Sequence, residues 1–180
     1  MTTIFTVGHS THPIDEFVAI LSAHGIRTLV DVRSIPKSRH NPQFGEDQLP
    51  GSLEKAGIRY QRLGELGGLR HSRKESPNKG WRNTSFRGYA DYMQTDEFAD
   101  GIQNLIDLAQ AQDPAAIMCA EAVPWRCHRS LIGDALLVRG HTVLDIMSEK
   151  DARPHKLTSF AHVDGLTVTY PPNEDEATAD

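Results

Sequence analysis

Between Cys119 and Arg129 the chain reads CAEAVPWRCHR, which gathers two thiols, a carboxylate, an imidazole and two guanidiniums where an apolar run gives way to a proline-started helix. A helix N-terminus offers unpaired N–H groups and a partial positive charge, which lower a thiol pKa and attract anions. Cys127 therefore stands where a thiolate is favoured, as nucleophile or donor. Glu121 or His128 would move a proton, and Arg129 would bind an anion, with Arg126 as a further donor. Each has a plainer reading: a small apolar Cys at a helix start, a Glu121 paired with an arginine, and solvated guanidiniums. Cys119 ends an apolar run and reads as a small buried hydrophobe. The ligand types of Cys119, Cys127, His128 and His9 suit zinc, but no paired C-x-x-C or H-x-x-x-H spacing accompanies them, so neither metal nor cofactor is expected.

Three other segments carry chemistry. His9 and Ser10 follow a short apolar run; His9 reads as a site residue, and Ser10 as an N-cap before Pro13 or an anion-binding hydroxyl. Arg33, Ser38 and Arg39 follow Asp31, and an arginine there can hold a phosphate or carboxylate bidentately, unless Arg33 is spent on an internal ion pair with Asp31 or Glu121. The stretch containing Arg73, Lys74, Lys79, Trp81 and Arg82 mixes cations with aromatic faces as single-strand binders do, though a flap whose Trp81 and Phe86 pack on the body is the commoner arrangement. Gly64-Glu65-Leu66-Gly67-Gly68 lacks the spacing of a phosphate-binding or dinucleotide fingerprint and reads first as a tight turn.

The elements that would position these residues alternate. Residues 4–7, 27–32, 58–63, 115–120 and 142–146 read as strands. Helical spacing or helix boundary signals mark 13–24, 46–56, 87–94, 96–112 and 124–139. Residues 69–87 are polar and aperiodic, a long basic insertion after the third strand. Residues 157–170 alternate around Asp164-Gly165 as a hairpin would. The fold expected is an open, mostly parallel five-stranded α/β sheet with helices on both faces, Rossmann-like, in which ligands bind beyond the carboxyl ends of the strands. The loops holding His9, Arg33, Gly64 and Glu121 all leave such ends and converge on one edge.

The 180 residues, 38% hydrophobic and 24% charged, suit one soluble domain over residues 1–172 followed by an acidic, disordered tail over 173–180. No apolar run approaches the roughly 20 residues that cross a bilayer, and the N-terminus lacks a signal-peptide pattern, so a cytoplasmic protein without a membrane partner is expected. There thiols stay reduced, which argues against a Cys119–Cys127 bridge. The net charge of −5 conceals a division, because residues 27–87 hold 13 Lys/Arg against 6 Asp/Glu. The four acids of the tail supply most of the negative balance, and the cations gather in loops around the expected site. That points to an anionic small molecule or nucleic acid as partner. Oligomeric state is not encoded in any of these patterns.

Taken together, Gly8-His9-Ser10, Asp31-Val32-Arg33 with Pro36 and Ser38, Asn41-Pro42-Gln43-Phe44, Leu66-Gly67-Gly68, Tyr89 with Tyr92, and Cys119-Ala120-Glu121 followed by Cys127-His128-Arg129 resemble the bacterial and archaeal proteins grouped as domain of unknown function 488. The resemblance runs from about Ile4 to Ile146. It implies a Rossmann-like sheet and assigns no reaction. Where that family often has His before the Ile closing the fifth strand, this chain has Asp145. The leading expectation is an enzyme, hydrolase or transferase, acting on a phosphate-bearing nucleotide or nucleic acid. A non-catalytic nucleic-acid-binding module is the alternative, and a metal-binding or redox protein the third reading.

Overall fold

The computed structural model describes residues 2–112 and 114–173. In chain order the elements are β1 (Thr3–Gly8), α1 (Ile14–Ala23), β2 (Thr28–Asp31), α2 (Leu49–Glu54), β3 (Arg59–Arg62), α3 (Thr84–Tyr92), α4 (Asp96–Ala111), β4 (Ala115–Cys119), α5 (Arg129–Val138), β5 (Thr142–Ser148), β6 (Asp151–Pro154), β7 (His162–Asp164) and β8 (Thr167–Thr169). Short 3-10 turns cover Pro42–Phe44, Gly64–Leu66 and Pro124–Arg126.

The main sheet has the order β3-β2-β4-β1-β5-β6. Its first five strands are parallel, and β6 closes the β5 edge antiparallel. The sheet therefore has six strands, one more than the sequence pattern gives. The missed strand, β6, is a half-exposed edge segment ending in Pro154, without the apolar alternation that marks a buried strand. The alternating residues 157–170 form the hairpin β7–β8, a separate two-stranded sheet turned at Gly165 with φ of 61°.

Two apolar cores lie on opposite faces of the sheet, as the period of two dictates. Ala115 and Ile117 of β4 pack with α4 and α5, while Ala116 and Met118 pack with α1 and α2. β4 is buried along its whole length because it has helices on both faces and a strand on either side. The chain runs outward through β1, β2 and β3, then returns to insert β4 between β2 and β1. This reversal of strand order opens a crevice at the carboxyl ends of β1, β2 and β4.

Boundary residues explain where the helices differ from the sequence pattern. α3 starts at Thr84, three residues before the expected Arg87, because the Asn83 side chain accepts from the backbone N–H groups of Ser85 and Phe86. α1 has no side-chain cap: Pro13 occupies that position, so Ser10 is not the N-cap. Ser10 instead takes a left-handed backbone conformation with φ of 48° and donates its N–H to Ala120 O. The helix expected from Pro124 is broken. Pro124–Arg126 makes a 3-10 turn, Cys127 is extended, and α5 begins only at Arg129.

The long connection after β3 is tied to α3 through one carboxylate. Asp91 accepts from the hydroxyls of Ser72 and Ser76, the amide of Asn78 and the backbone N–H of Arg73. Burial alone would raise its pKa, but these bonds outweigh burial and hold it below the ordinary value. The expected tail lies, beyond Asn173, outside the described residues. Among those residues no helix is long and apolar enough to cross a membrane.

Candidate active site

A cleft of about 440 Å³ opens beyond the carboxyl ends of β1, β2 and β4. Its lining brings together His9, Arg33, Ser38, Glu121, Cys127 and His128, with Arg126 and Cys119 from the same segment, and adds Ser34 and Lys37. Backbone bonds fix the strand ends around it: His9 N donates to Cys119 O at 2.9 Å, and Val32 N to Met118 O at 3.2 Å. Two glycines permit the close approaches. A Cβ on Gly8 would overlap the carbonyl oxygen of Glu121, and one on Gly68 would come within 2.6 Å of His128 Nδ1.

Arg33 is buried and largely committed. Its Nε and Nη2 form a two-pronged pair with Asp31 at 2.9 and 2.8 Å, and Nη2 also donates to Phe44 O. The internal pair considered from the sequence is thus present, with Asp31 as partner, while Nη1 extends to within 3.5 Å of His9 Nε2 on the cleft wall. Tyr60 donates its hydroxyl to the same carboxylate, and burial together with that bond raises the Tyr60 pKa.

His9 stacks on Phe44 at 4.3 Å between centroids, and its Nδ1–H donates to Ser10 O, which leaves Nε2 as a lone pair facing Arg33. Burial lowers its pKa to about 4 against the opposing pull of the Ser10 bond, and the charge of Arg33 acts in the same direction as burial. His128 is arranged likewise. Its Nε2–H donates to Val32 O at 2.9 Å, and Nδ1 lies 3.5 Å from Cys127 Sγ. Burial lowers its pKa to about 4 as well, despite carbonyl bonds that favour the charged ring. Both imidazoles are therefore neutral at physiological pH, each with one nitrogen lone pair available. An NMR titration of the ring nitrogens should find both uncharged down to about pH 5. A His9 or His128 signal titrating near 6.5 would contradict the burial assigned to it.

Cys127 is buried, and its sulfur also accepts the Arg129 backbone N–H at 3.5 Å, where α5 begins. The two sulfurs lie against each other, paired as a disulfide would pair them. This contact is absent from the sequence reading, and it sets the buried Cys119 beside the cleft thiol. The loop between them folds back through its 3-10 turn, which returns Cys127 to the strand end that Cys119 closes.

Other residues of the sequence-derived set lie elsewhere. Arg129 is fully buried behind the cleft wall, where Nη2 donates to Ala122 O and neither Nε nor Nη1 has a hydrogen-bond partner. Burial lowers its pKa to about 10, against the charges of Asp145 and Glu121. It braces the loop carrying Glu121 and does not line the cleft. Arg39 is exposed and Ser10 half-buried, both outside the lining. Arg73, Lys74, Lys79 and Arg82 are exposed away from it. Trp81 packs on the body, stacked on Phe86 at 5.0 Å and edge-on to Phe160. Among the described residues no three His, Cys, Asp or Glu side chains form a group that could hold a metal ion.

A family model described as "Domain of unknown function DUF488" matches residues 13–136. The chain belongs to that family. The match covers the loops after β2, β3 and β4, so most of the cleft lies within the DUF488 region, while His9 precedes it. Searches of curated proteins and of solved structures returned no match. Beyond the matched segment, Asp145 is mostly buried. It accepts from Thr6 Oγ1 and from His155 Nδ1. His155 was not legible as a structural centre in the sequence. Its partners lie 10 and 21 residues away, and no local pattern links them.

Proposed function

We propose that the cleft is the active site of a cysteine-dependent enzyme acting on a phosphate-bearing small molecule of nucleotide size. The observation that carries this reading is the surroundings of Cys127 Sγ: a neutral imidazole nitrogen at 3.5 Å to accept its proton and a backbone N–H aimed at the sulfur, in a cleft shared with Arg33, Lys37 and Arg126. In the reduced protein Cys127 attacks phosphorus as its proton passes to His128 Nδ1. The phosphorus–oxygen bond to the leaving group breaks, and the strongly acidic imidazolium of buried His128 gives that proton to the departing oxygen. Water, deprotonated by the Glu121 carboxylate, then cleaves the sulfur–phosphorus bond and releases the thiolate. Arg33 Nη1, Ser38 and the exposed Lys37 and Arg126 hold the phosphoryl oxygens.

The cleft has a second character that selects the rest of the substrate. Ile35 and Leu69, 60% and 69% exposed, line it together with Phe86. Exposed apolar side chains at a cationic cleft suit a ligand with an anionic end and a flat apolar end, as a nucleotide has. A nucleic-acid strand is less favoured, because the cations of 73–82 lie outside the cleft and Trp81 is engaged by neighbouring rings.

The test is turnover by the reduced protein of p-nitrophenyl phosphate and of nucleoside mono-, di- and triphosphates. Replacing Cys127 by Ser should lower kcat by about a thousandfold or more, and Glu121→Gln by about a hundredfold with KM little changed. The reading fails if both variants keep full activity. It fails equally if none of these compounds is turned over and none slows alkylation of Cys127 by iodoacetamide.

A further inference from the structure

We infer that Cys119 and Cys127 form a peroxide-reactive pair in which Cys119 resolves an oxidised Cys127, so that the catalytic thiol is stored as a reversible disulfide. This rests on the reading of Cys127 as a thiolate nucleophile and adds a second substrate class, hydroperoxides, at the same cleft.

Three observations support it. Both sulfurs border the cleft, so a molecule as small as hydrogen peroxide reaches them without unfolding of the core. The two sulfurs are already in contact, so no long-range movement separates nucleophile from resolving thiol. Cys127 alone has the surroundings of an activated sulfur, with His128 Nδ1 and the Arg129 N–H directed at it. Cys119 lies at the end of a fully buried strand and has neither, which fixes the order of events.

The chemistry is closed. The Cys127 thiolate attacks one oxygen of the hydroperoxide, the O–O bond breaks, and the alcohol or water leaves with a proton, giving a sulfenic acid on Cys127. The Cys119 thiol then attacks that sulfur, the S–OH bond breaks, water leaves, and the disulfide forms. Overall two electrons pass from the two thiols to the peroxide. A small dithiol reductant returns them by exchange through a mixed disulfide and restores the cleft. While the disulfide stands, Cys127 has no thiolate, so phosphoryl chemistry is off.

The experiment treats fully reduced protein with hydrogen peroxide and follows intact mass and dimedone adducts. Wild type should lose two hydrogens, gain no oxygen, and return to its starting mass with dithiothreitol. Cys119→Ser should instead trap one dimedone on Cys127 and, without dimedone, proceed to two added oxygens that dithiothreitol does not remove. Cys127→Ser should react at least about tenfold more slowly. The inference is overturned if wild type gains oxygen on Cys127 in place of forming the disulfide, or if Cys119 is the residue dimedone labels. The wild-type mass shift does not depend on either variant folding. Turnover of phosphate compounds by reduced wild type, abolished in Cys127→Ser, with no disulfide under peroxide, would sink this inference and leave the proposed function standing. Reversible disulfide formation without any phosphate turnover would do the opposite.

Discussion

Replacing Asp134 by Ala should lower the unfolding free energy by about 3–5 kcal/mol, the usual cost of removing one partner from a buried, hydrogen-bonded ion-pair network. Asp134 is fully buried in α5 and accepts four bonds: from His155 Nε2, from the backbone N–H and hydroxyl of Thr158, and from the Tyr170 hydroxyl. It joins the main sheet's far edge to the segment that leads into β7 and β8. His155 donates from both ring nitrogens, to Asp134 and to Asp145, and so is an imidazolium. Burial alone would lower its pKa, but the two carboxylates raise it from 6.5 to about 9. A raised histidine pKa stabilises the native state fully below 6.5, and that stabilisation disappears as pH rises from 6.5 through about 9.

His9 and His128 act in the opposite sense. Their lowered values mean that the unfolded chain takes up protons the native state refuses, so stability falls as pH drops from 6.5 toward 4. Wild type should therefore be most stable near pH 6.5 and weaken on both sides, His155 contributing about 3 kcal/mol to the alkaline limb. Urea denaturation across pH 5 to 10 tests both statements. Asp134→Ala should flatten the alkaline limb as well as lower the whole curve, and a parallel downward shift with that limb unchanged would remove Asp134 from the account of it.

Much of this architecture is visible in the residue pattern because its signals are local. The apolar run at 115–119, the Gly25 and Gly57 helix stops and the spacing of Phe17, Ile20 and Leu21 each report on their own neighbourhood. The convergence of strand-end loops follows from parallel topology alone, which is why the residue pattern by itself places His9, Arg33, Glu121 and Cys127 at one edge. What stayed hidden depends on distance. The partner of Arg33 could be named only as one of two carboxylates. The burial of Arg129 follows from the way the loop at 120–126 folds over it, and the meeting of the two sulfurs from the break in helical structure at Cys127. The Asp134–His155–Asp145 group joins three elements whose sequences carry no sign of one another. Cationic residues at 73–82 read as ligand-binding from composition, yet the knot around Asp91 and the packing of Trp81 turn that segment away from the cleft.

Asp31→Ala should couple stability to the site more directly than any other single change, costing about 3–5 kcal/mol and weakening anion binding together. The carboxylate is wholly buried and accepts from Arg33 Nε, Nη2 and backbone N–H and from the Tyr60 hydroxyl. Truncation leaves a nearly buried guanidinium with the Phe44 carbonyl and the weak His9 contact as its remaining partners. The guanidinium must then draw in water or swing out, and Nη1 no longer sits beside His9. The double variant Asp31→Ala with Arg33→Met should recover much of the lost stability, because it removes the uncompensated charge, but should recover none of the anion affinity. Urea midpoints report the first quantity, and protection of Cys127 from iodoacetamide by inorganic phosphate in the reduced protein reports the second. If Asp31→Ala keeps phosphate protection while losing stability, Arg33 is a structural cation that shapes the loop after β2, and the anion is held by Lys37 and Arg126 without it.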